Sequence, residues 1–255
     1  MSSQRGFTIP ELIIMMIVTS FLTILVITFA LNFWSSSATL QNDSESLTTR
    51  LNSGDILREQ LNVASNLVNQ NSIPDSNANS VDPTAGPGYW TAIHAVPGSI
   101  TMPSSGAAPV LYFTAPSVDS SKNFIMNGTQ AFQDEFILYL NAGTKQLLLR
   151  TLVNPSATGD RLKTSCPSNL ASSSCPKDRV MAENISSVDT RFFSRSGNTI
   201  NYQSVVDPLT GNYIGPDYGS AEVVELTLHL FKKSTLHGGK DTSNQVIIRV
   251  ALRNG

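Results

Sequence analysis

The sequence predicts an α+β protein in which one long N-terminal helix packs on an antiparallel β-sheet domain. The first observation is a long apolar segment near the N-terminus that continues into leucines at helical spacing. The second is the composition after residue 70, where Gly, Pro, Ser, Thr and Asn separate short apolar runs. A chain of 255 residues is long enough for one globular domain and a separate N-terminal element.

The apolar segment has the length and composition of a membrane span. Residues 12–33 carry no charged side chain and consist mostly of Ile, Leu, Val, Met and Phe. At about 1.5 Å per residue this run is about 33 Å long, which matches the hydrocarbon core of a bilayer. Arg5 precedes the run and Asp43 is the next charged residue after it. The basic residue predicts a single-pass protein with a cytoplasmic N-terminus and a domain on the outer side.

Three interpretations of this segment compete. A secretory signal peptide has an apolar region of only about 7–15 residues, although Ser35–Ala38 offers small residues for cleavage. A plain one-pass anchor explains the length but not the residues before it. The third interpretation depends on those residues.

The residues directly before the apolar run are Gly6-Phe7-Thr8-Ile9-Pro10-Glu11. Glu11 is unexpected there, because a carboxylate costs about 2.5–3.5 kcal/mol at the centre of a membrane on insertion scales. Pro10 suits the first turn of a helix, where its missing N–H costs little. The arrangement resembles the class III signal of type IV prepilins, in which a short leader ends in Gly and is followed by Phe and then by Glu at the fifth mature position.

The resemblance, which is sharp over residues 5–34, implies a processing site and an assembly residue. A prepilin peptidase would cut between Gly6 and Phe7, remove the leader of residues 1–6 and methylate the new amino group of Phe7. Gly6 has no Cβ, so an extended backbone can enter a narrow cleavage site there. Glu11 would pair with the amino terminus of a neighbouring subunit in a filament. Two charges in an apolar core are tolerated only when paired, so this pair would favour the correct register.

The helical pattern continues beyond the apolar run. Its apolar positions include Leu47, Leu51, Leu57, Leu61, Ala64 and Val68, of which the last four are spaced by 4, 3 and 4 residues. The pattern ends near Asn71, and Pro74 prevents its continuation. We therefore predict a membrane or filament-core half over residues 7–34, an amphipathic half over residues 35–71 and a globular domain over residues 72–255.

Eight strands are predicted in the globular domain. Asn141-Ala142-Gly143 supplies the turn of a hairpin between two of them. Alternation of apolar and polar residues in the last two indicates that they pair and that one sheet face is wet. The predicted strands are Tyr89–Val96, Val110–Ala115, Glu135–Leu140, Gln146–Val153, Ser187–Ser194, Thr199–Val205, Ala221–Phe231 and Gln245–Leu252. This layout resembles, at the level of pattern, the larger minor pilins and the J-type minor pseudopilins of type II secretion.

The two cysteines, Cys166 and Cys175, bracket a segment rich in Pro, Ser and Asn. This spacing favours a disulfide that closes a small loop in an oxidising compartment. Such a loop stabilises the fold by about 2–3 kcal/mol in the loop-entropy model. Two reduced thiols are the alternative, whereas a metal site would need more ligands than the neighbouring sequence offers.

No catalytic motif is present in the sequence, and we predict neither an enzyme nor a cofactor nor a metal site. His94 and His229 lie in predicted strands, and His237 lies in a loop. Residues 207–212 and Asp217 could bind a cation such as Ca²⁺, but turn chemistry explains them better.

The sequence therefore favours a minor pilin or pseudopilin subunit of a type IV pilus-like filament in pilus, type II secretion or competence systems. It would act in filament assembly or priming and end in an extracellular or periplasmic filament. The implied partners are the prepilin peptidase, other pilin or pseudopilin subunits, the inner-membrane assembly platform and membrane lipid before assembly. The alternatives are a tip adhesin, a DNA-uptake pilin or a simple membrane-anchored extracellular domain. A net charge of -2 does not favour nucleic-acid binding. The aromatics Tyr89, Trp90, Tyr213 and Tyr218 could contact a ligand or belong to the core.

Overall fold

The fold combines one long helix with antiparallel sheets, which confirms the predicted α+β class. The computed structural model describes residues 8–77, 88–90, 98–193, 205–206, 213–214, 221–232 and 242–252. The chain divides into two units, Met1–Ser46 with Lys233–Thr242 and Leu47–Lys232 with Ser243–Gly255. Helix α1, Ile9–Asn62, contributes residues to both units.

The strands follow the helix in the chain. Those described are β1 (Asn66–Val68), β2 (Gly98–Thr101), β3 (Ala107–Pro116), β4 (Met126–Asn127), β5 (Gln130–Ala131), β6 (Gln133–Asn141), β7 (Gln146–Leu152), β8 (Arg179–Glu183), β9 (Ile185–Phe193), β10 (Val205–Val206), β11 (Tyr213–Ile214), β12 (Val223–Lys232) and β13 (Thr242–Ala251). A five-stranded sheet has the order β1-β3-β6-β7-β8 and a four-stranded sheet has the order β13-β12-β9-β2. The short strands form two separate pairs, β4 with β5 and β10 with β11.

The second half of α1 packs on the sheets through a narrow apolar stripe. Leu57 and Leu61 are each 1% exposed and belong to the largest core cluster. Leu51, which the sequence placed on the same stripe, is 61% exposed, so that part of the prediction is wrong. Leu51 precedes Leu57 by six residues and therefore lies about 120° around the helix from it.

The helix ends at Asn62, nine residues before the end predicted at Asn71. After it, the Ser65 backbone N–H donates to the Thr114 carbonyl at 2.7 Å, and β1 pairs antiparallel with β3. Leu67 is buried in this strand. The spacing of apolar residues fits a helix here as well, but the free edge of β3 offers the backbone an alternative set of hydrogen bonds. The amphipathic half of the helix therefore ends at residue 62, not 71.

The five-stranded sheet is covered on both faces, and its central strand β6 is buried from Asp134 to Leu140. Phe113, Leu138 and Leu149 face the cluster that contains α1. Ile137, Tyr139 and Leu148 belong to a second cluster that also contains Trp90. The sheet confirms the strands predicted over residues 110–115, 135–140 and 146–153. It also confirms their hairpin, in which Asn141 pairs with Gln146.

The four-stranded sheet shows the predicted alternation. Val224, Leu226, Leu228 and Leu230 of β12 are buried, and the residues between them are half-exposed. Strands β9, β12 and β13 confirm the three predictions over residues 187–194, 221–231 and 245–252, and β12 and β13 are neighbours. Strands β2 and β8 were not predicted.

The chain passes from the five-stranded sheet to the four-stranded sheet at Asn184. This residue lies between β8 and β9 and has a φ of 57°, a left-handed conformation that Asn tolerates better than most residues.

Two other predicted strands have different outcomes. Tyr89 and Trp90 are not in a strand, and the rest of residues 89–96 lies outside the described residues. Most of residues 199–205 also lies outside them.

Candidate functional site

The N-terminus of α1 is closed by a reciprocal hydrogen-bonded cap. The backbone N–H and the hydroxyl of Thr8 both donate to Glu11 Oε2, at 2.9 and 2.8 Å. The Leu12 N–H donates to the Thr8 carbonyl at 3.2 Å, which closes the first turn. Ile9 is the first helical residue, and Pro10 lies in the first turn as predicted. The geometry is half of a capping box, in which an acidic third residue reaches back to the residue before the helix.

This cap gives Glu11 a local role that the sequence reasoning missed. A carboxylate in the first helical turn also interacts favourably with the helix dipole. The signal was available, because Thr8-x-x-Glu11 has the spacing of a capping box. Among the described residues, only Thr8 donates hydrogen bonds to this carboxylate, and both bonds go to Oε2. Oε1 is therefore open to a donor from elsewhere.

The helix that follows this cap is apolar and exposed. Within Ile9–Gln41, the most apolar stretch of 18 residues has a mean hydropathy of 2.7, and none of it is buried. At about 1.5 Å per residue this segment is about 50 Å long, which exceeds the hydrocarbon thickness of a bilayer. The chain therefore contains one helix that is long and apolar enough to cross a membrane.

The polar side chains within the apolar helix are satisfied by the helix itself. The hydroxyls of Thr19, Ser20, Thr23 and Thr28 each donate to the carbonyl four residues earlier at 2.8 Å. Because no hydroxyl donor is left unpaired at these positions, the helix surface from Leu12 to Leu31 is otherwise apolar. Such a surface is suited to lipid or to other apolar helices.

The predicted processing residues, Gly6 and Phe7, lie outside the described residues. Cleavage after Gly6 and methylation of Phe7 therefore stay predictions. Glu11, the predicted assembly residue, is described, and its carboxylate lies at the first turn of the helix.

The predicted disulfide is present between Cys166 and Cys175, whose Cα atoms are 5.6 Å apart. Cys166 is 3% exposed, and Cys175 is half-buried. Residues 168–174 between them are exposed. The cross-link therefore closes an exposed loop whose first residue, Cys166, is buried.

A buried charged cluster lies close to the disulfide, on the face of the five-stranded sheet that Trp90 covers. Arg150 of β7 is 1% exposed. Its Nε and Nη2 donate to the two carboxylate oxygens of Asp178 at 2.8 and 2.7 Å. Its Nη1 donates to Asp75 Oδ2 at 2.6 Å and to the Asn77 carbonyl at 3.3 Å. We call Arg150, Asp75 and Asp178 the Arg150 cluster.

Aromatic residues complete the surroundings of the Arg150 cluster. Trp90 Nε1 donates to Asp75 at 2.8 Å, and the Tyr139 hydroxyl donates to Asp178 at 2.6 Å. The guanidinium of Arg150 lies 5.5 and 5.8 Å from the centroids of these two rings. Trp90 is therefore a core residue, whereas Tyr89 is half-buried. The side chain of Tyr213 and all of Tyr218 lie outside the described part of the chain.

These contacts raise the pKa values of Arg150 and Tyr139. Burial lowers the pKa of Arg150, but the hydrogen bonds and charges of Asp178 and Asp75 outweigh it and hold the pKa above its ordinary value. Burial, followed by the bond to Asp178, raises the pKa of Tyr139. Both groups therefore keep their protons at neutral pH. One signal of this cluster in the sequence was missed, namely an Arg within the apolar strand that contains Leu147, Leu148 and Leu149.

The histidine and cation predictions are tested only in part. His229 Nε2 lies 2.8 Å from Asp189 Oδ2 on the half-exposed face of the four-stranded sheet, as expected for a satisfied strand residue. The described residues do not include His94, His237, residues 207–212 or Asp217. Across the described ranges, no three His, Cys, Asp or Glu side chains are grouped as metal ligands.

Comparison with known proteins finds no matching family model, no matching curated protein and no matching solved structure. The candidate site of this chain is an apolar helix with one capped carboxylate at its start, an arrangement suited to docking in lipid or against other helices.

Proposed function

We propose that this protein is a type IV prepilin-like subunit whose apolar helix passes from the membrane into a filament. Within that class we propose a minor pilin or pseudopilin that acts in filament assembly or priming. The observation that carries the proposal is Glu11. It lies in the first turn of an exposed helix that is charge-free from residue 12 to residue 41 and is preceded by Gly6-Phe7.

The competing explanations account for fewer of these features. A secretory signal has an apolar region of about 7–15 residues, whereas the helix remains apolar over Ile9–Gln41. A simple anchor accounts for the apolar length and for Glu11 as a helix cap, but not for Gly6-Phe7 before the helix. In a filament, the helix surface would contact other helices, and the open Oε1 of Glu11 could accept a hydrogen bond from the amine of a neighbouring chain.

The proposal also defines where the chain goes and what it meets. The N-terminus faces the cytoplasm, where a prepilin peptidase cuts after Gly6 and methylates Phe7. The β-rich domain lies outside, and lipid surrounds the helix until the assembly platform extracts the subunit. Other pilin or pseudopilin subunits then replace the lipid. A disulfide in the domain supports this placement, because disulfides persist in oxidising compartments.

The first experiment is intact-mass and N-terminal analysis of the chain produced in membranes with and without a prepilin peptidase. We expect a chain that starts at N-methylated Phe7 only when the peptidase is present. Gly6→Leu is the matched control, because its side chain would block a narrow cleavage site, and we expect it to stay uncut. A wild-type chain that keeps Met1, or is cut near Ala38, would contradict the proposal.

A second experiment separates the local role of Glu11 from the proposed pairing role. Glu11→Gln removes the charge but keeps a side chain that can complete a capping box, whereas Thr8→Val removes the hydroxyl but keeps the charge. We expect cleavage of both variants. In a cross-linking assay for filament assembly, Glu11→Gln should lose most assembly and Thr8→Val should retain more. Equal assembly by wild type and Glu11→Gln would leave Glu11 as a helix cap alone.

A further inference from the structure

The Arg150 cluster joins the five-stranded sheet to a segment of chain that belongs to no strand. Asp75 and Asn77 lie on this segment, residues 74–77, and both bind Arg150. We propose that the Cys166–Cys175 disulfide is an oxidation-dependent latch that holds residues 74–77 against the Arg150 cluster. This inference is independent of the proposed filament function.

The disulfide lies next to Asp178, one of the two acids that bind Arg150. The Cys166 N–H donates to the Pro176 carbonyl at 2.7 Å, and the Asp178 N–H donates to the Cys166 carbonyl at 2.8 Å. The Ser165 hydroxyl donates to Asp178 Oδ1 at 2.6 Å. The backbone on both sides of the disulfide is thus fixed against the cluster, independently of the sulfur atoms.

The other side of the disulfide touches residues 74–77. Asn77 Nδ2 donates to Cys166 Sγ at 3.1 Å. The Asn77 N–H donates to Asp75 Oδ1 at 2.9 Å, and its carbonyl accepts from Arg150. A continuous chain of contacts therefore leads from the sulfur of Cys166 through Asn77 and Asp75 to Arg150. Asn77 is the residue through which the redox state of the cysteines would reach the segment.

The start of the neighbouring loop is held by a different group. Glu135 Oε2 accepts from the backbone N–H groups of Ser72 and Ile73, each at 2.9 Å. The hydrogen bonds of this carboxylate go to Ser72 and Ile73 and do not involve the disulfide, so they should survive reduction. The latch is therefore expected to act on residues 74–77 and not on the whole loop.

The two sulfur atoms differ in their accessibility to a reductant. Cys166 is buried and Cys175 is half-buried, so a thiolate of a small dithiol reaches Cys175 Sγ first. The S–S bond breaks, and Cys166 leaves as a thiolate and takes up a proton. The second thiol of the reductant then displaces Cys175, which also takes up a proton. The dithiol becomes a cyclic disulfide, and the protein gains two electrons and two protons.

Reduction changes the contact at Asn77. Two thiols cannot stay at the separation of about 2 Å that a covalent S–S bond imposes, so they move apart. The exposed loop of residues 168–174 allows Cys175 to move into solvent. The Cys166 side chain can then rotate about its Cα–Cβ bond, so its sulfur is no longer held at a fixed distance from Asn77. Residues 74–77 keep Arg150, Trp90 and Gly88 as hydrogen-bonding partners.

The test is hydrogen exchange of the full-length protein in detergent micelles, with and without dithiothreitol. Intact mass after alkylation confirms complete reduction. We expect the Asp75 and Asn77 amides to exchange at least tenfold faster after reduction, while those of Ser72, Ile73 and β6 stay unchanged. Removal of the reductant and reoxidation should restore the slow exchange.

Asn77→Ala is the matched variant, because it removes the contact to sulfur and keeps the disulfide. We expect fast exchange at Asp75 in the oxidised variant and less than a twofold further change on reduction. Unchanged exchange at Asp75 and Asn77 in fully reduced wild type would overturn the proposal. An equal increase throughout β6 would also overturn it, because the disulfide would then stabilise the whole sheet and not a latch.

Discussion

Replacing Arg150 by Met tests whether the buried charges determine the stability of the globular domain. Methionine has a similar length and is apolar, so the variant removes the cation with little change in volume. The change leaves Asp75 and Asp178, both buried, without their shared partner. Their remaining donors are neutral groups. Asp75 keeps Trp90 and the Asn77 N–H, and Asp178 keeps the hydroxyls of Tyr139 and Ser165.

The magnitude follows from the cost of breaking a buried ion pair on one side, which is about 3–5 kcal/mol. The retained hydrogen bonds to Asp75 and Asp178 keep the expected loss of unfolding free energy within this range. With a urea slope of about 2 kcal/mol/M, the unfolding midpoint should fall by about 2 M. This is a large fraction of the total stability of a domain, which is about 5–15 kcal/mol.

The assay is urea unfolding of the full chain in micelles, followed by the fluorescence of Trp90 and by circular dichroism. Trp34→Phe provides the background, because the chain has two Trp residues and Trp34 is exposed. Asp75→Asn is the matched control. It keeps the shape of Asp75 and an acceptor for Trp90, and it leaves Arg150 paired with Asp178. We expect this control to lose only about 1–3 kcal/mol.

The result that would refute this reasoning is a loss of less than about 1 kcal/mol in Arg150→Met. A loss in Asp75→Asn equal to or larger than that in Arg150→Met would also refute it. Either outcome would mean that packing against Trp90, and not the balance of buried charge, holds this face of the sheet.

Three further predictions concern α1, β6 and the hairpin. In urea unfolding, Leu57→Ala should lose about 2–5 kcal/mol and Leu51→Ala less than about 0.5 kcal/mol, because only Leu57 is buried. Burial raises the pKa of Asp134, and hydrogen bonds from Ser117 and Asn154 partly oppose this effect. The protonated carboxyl group of Asp134 therefore contributes its full stabilisation below about pH 4, and this stabilisation is lost as the pH rises through the pKa of the folded state. The stability of wild type relative to Asp134→Asn should therefore fall between pH 4 and pH 7, and a constant difference would contradict this. Asn141→Ala should lose about 1 kcal/mol, because the Asn141 side chain accepts from the Gly143 and Thr144 N–H groups of the turn.

The elements that the sequence predicted well are those with local causes. The start of α1 follows from Pro10 and the apolar run, and the β6–β7 hairpin follows from its turn residues. The two faces of β12 follow from strict alternation. In each case the deciding interactions lie within a few residues along the chain, so a pattern in the sequence is sufficient.

The sequence alone also determined the features that support the proposed function. The charge-free run, Glu11 at its head and Gly6-Phe7 before it are properties of composition and order, and the spacing of the two cysteines made their pairing predictable. The capping role of Glu11 could have been read from the same residues. It was missed because the carboxylate was considered only in relation to a second chain.

Tertiary structure decided where the helix ends, how the strands divide between two sheets and which polar residues are buried. The free edge of β3 determines that residues 66–68 form a strand and not a helix. The turn at Asn184 determines which sheet contains β9. Arg150 and Asp75 are 75 residues apart in the chain. Their pairing depends on the folding of distant segments over one sheet face, and no local periodicity records a contact between residues so far apart.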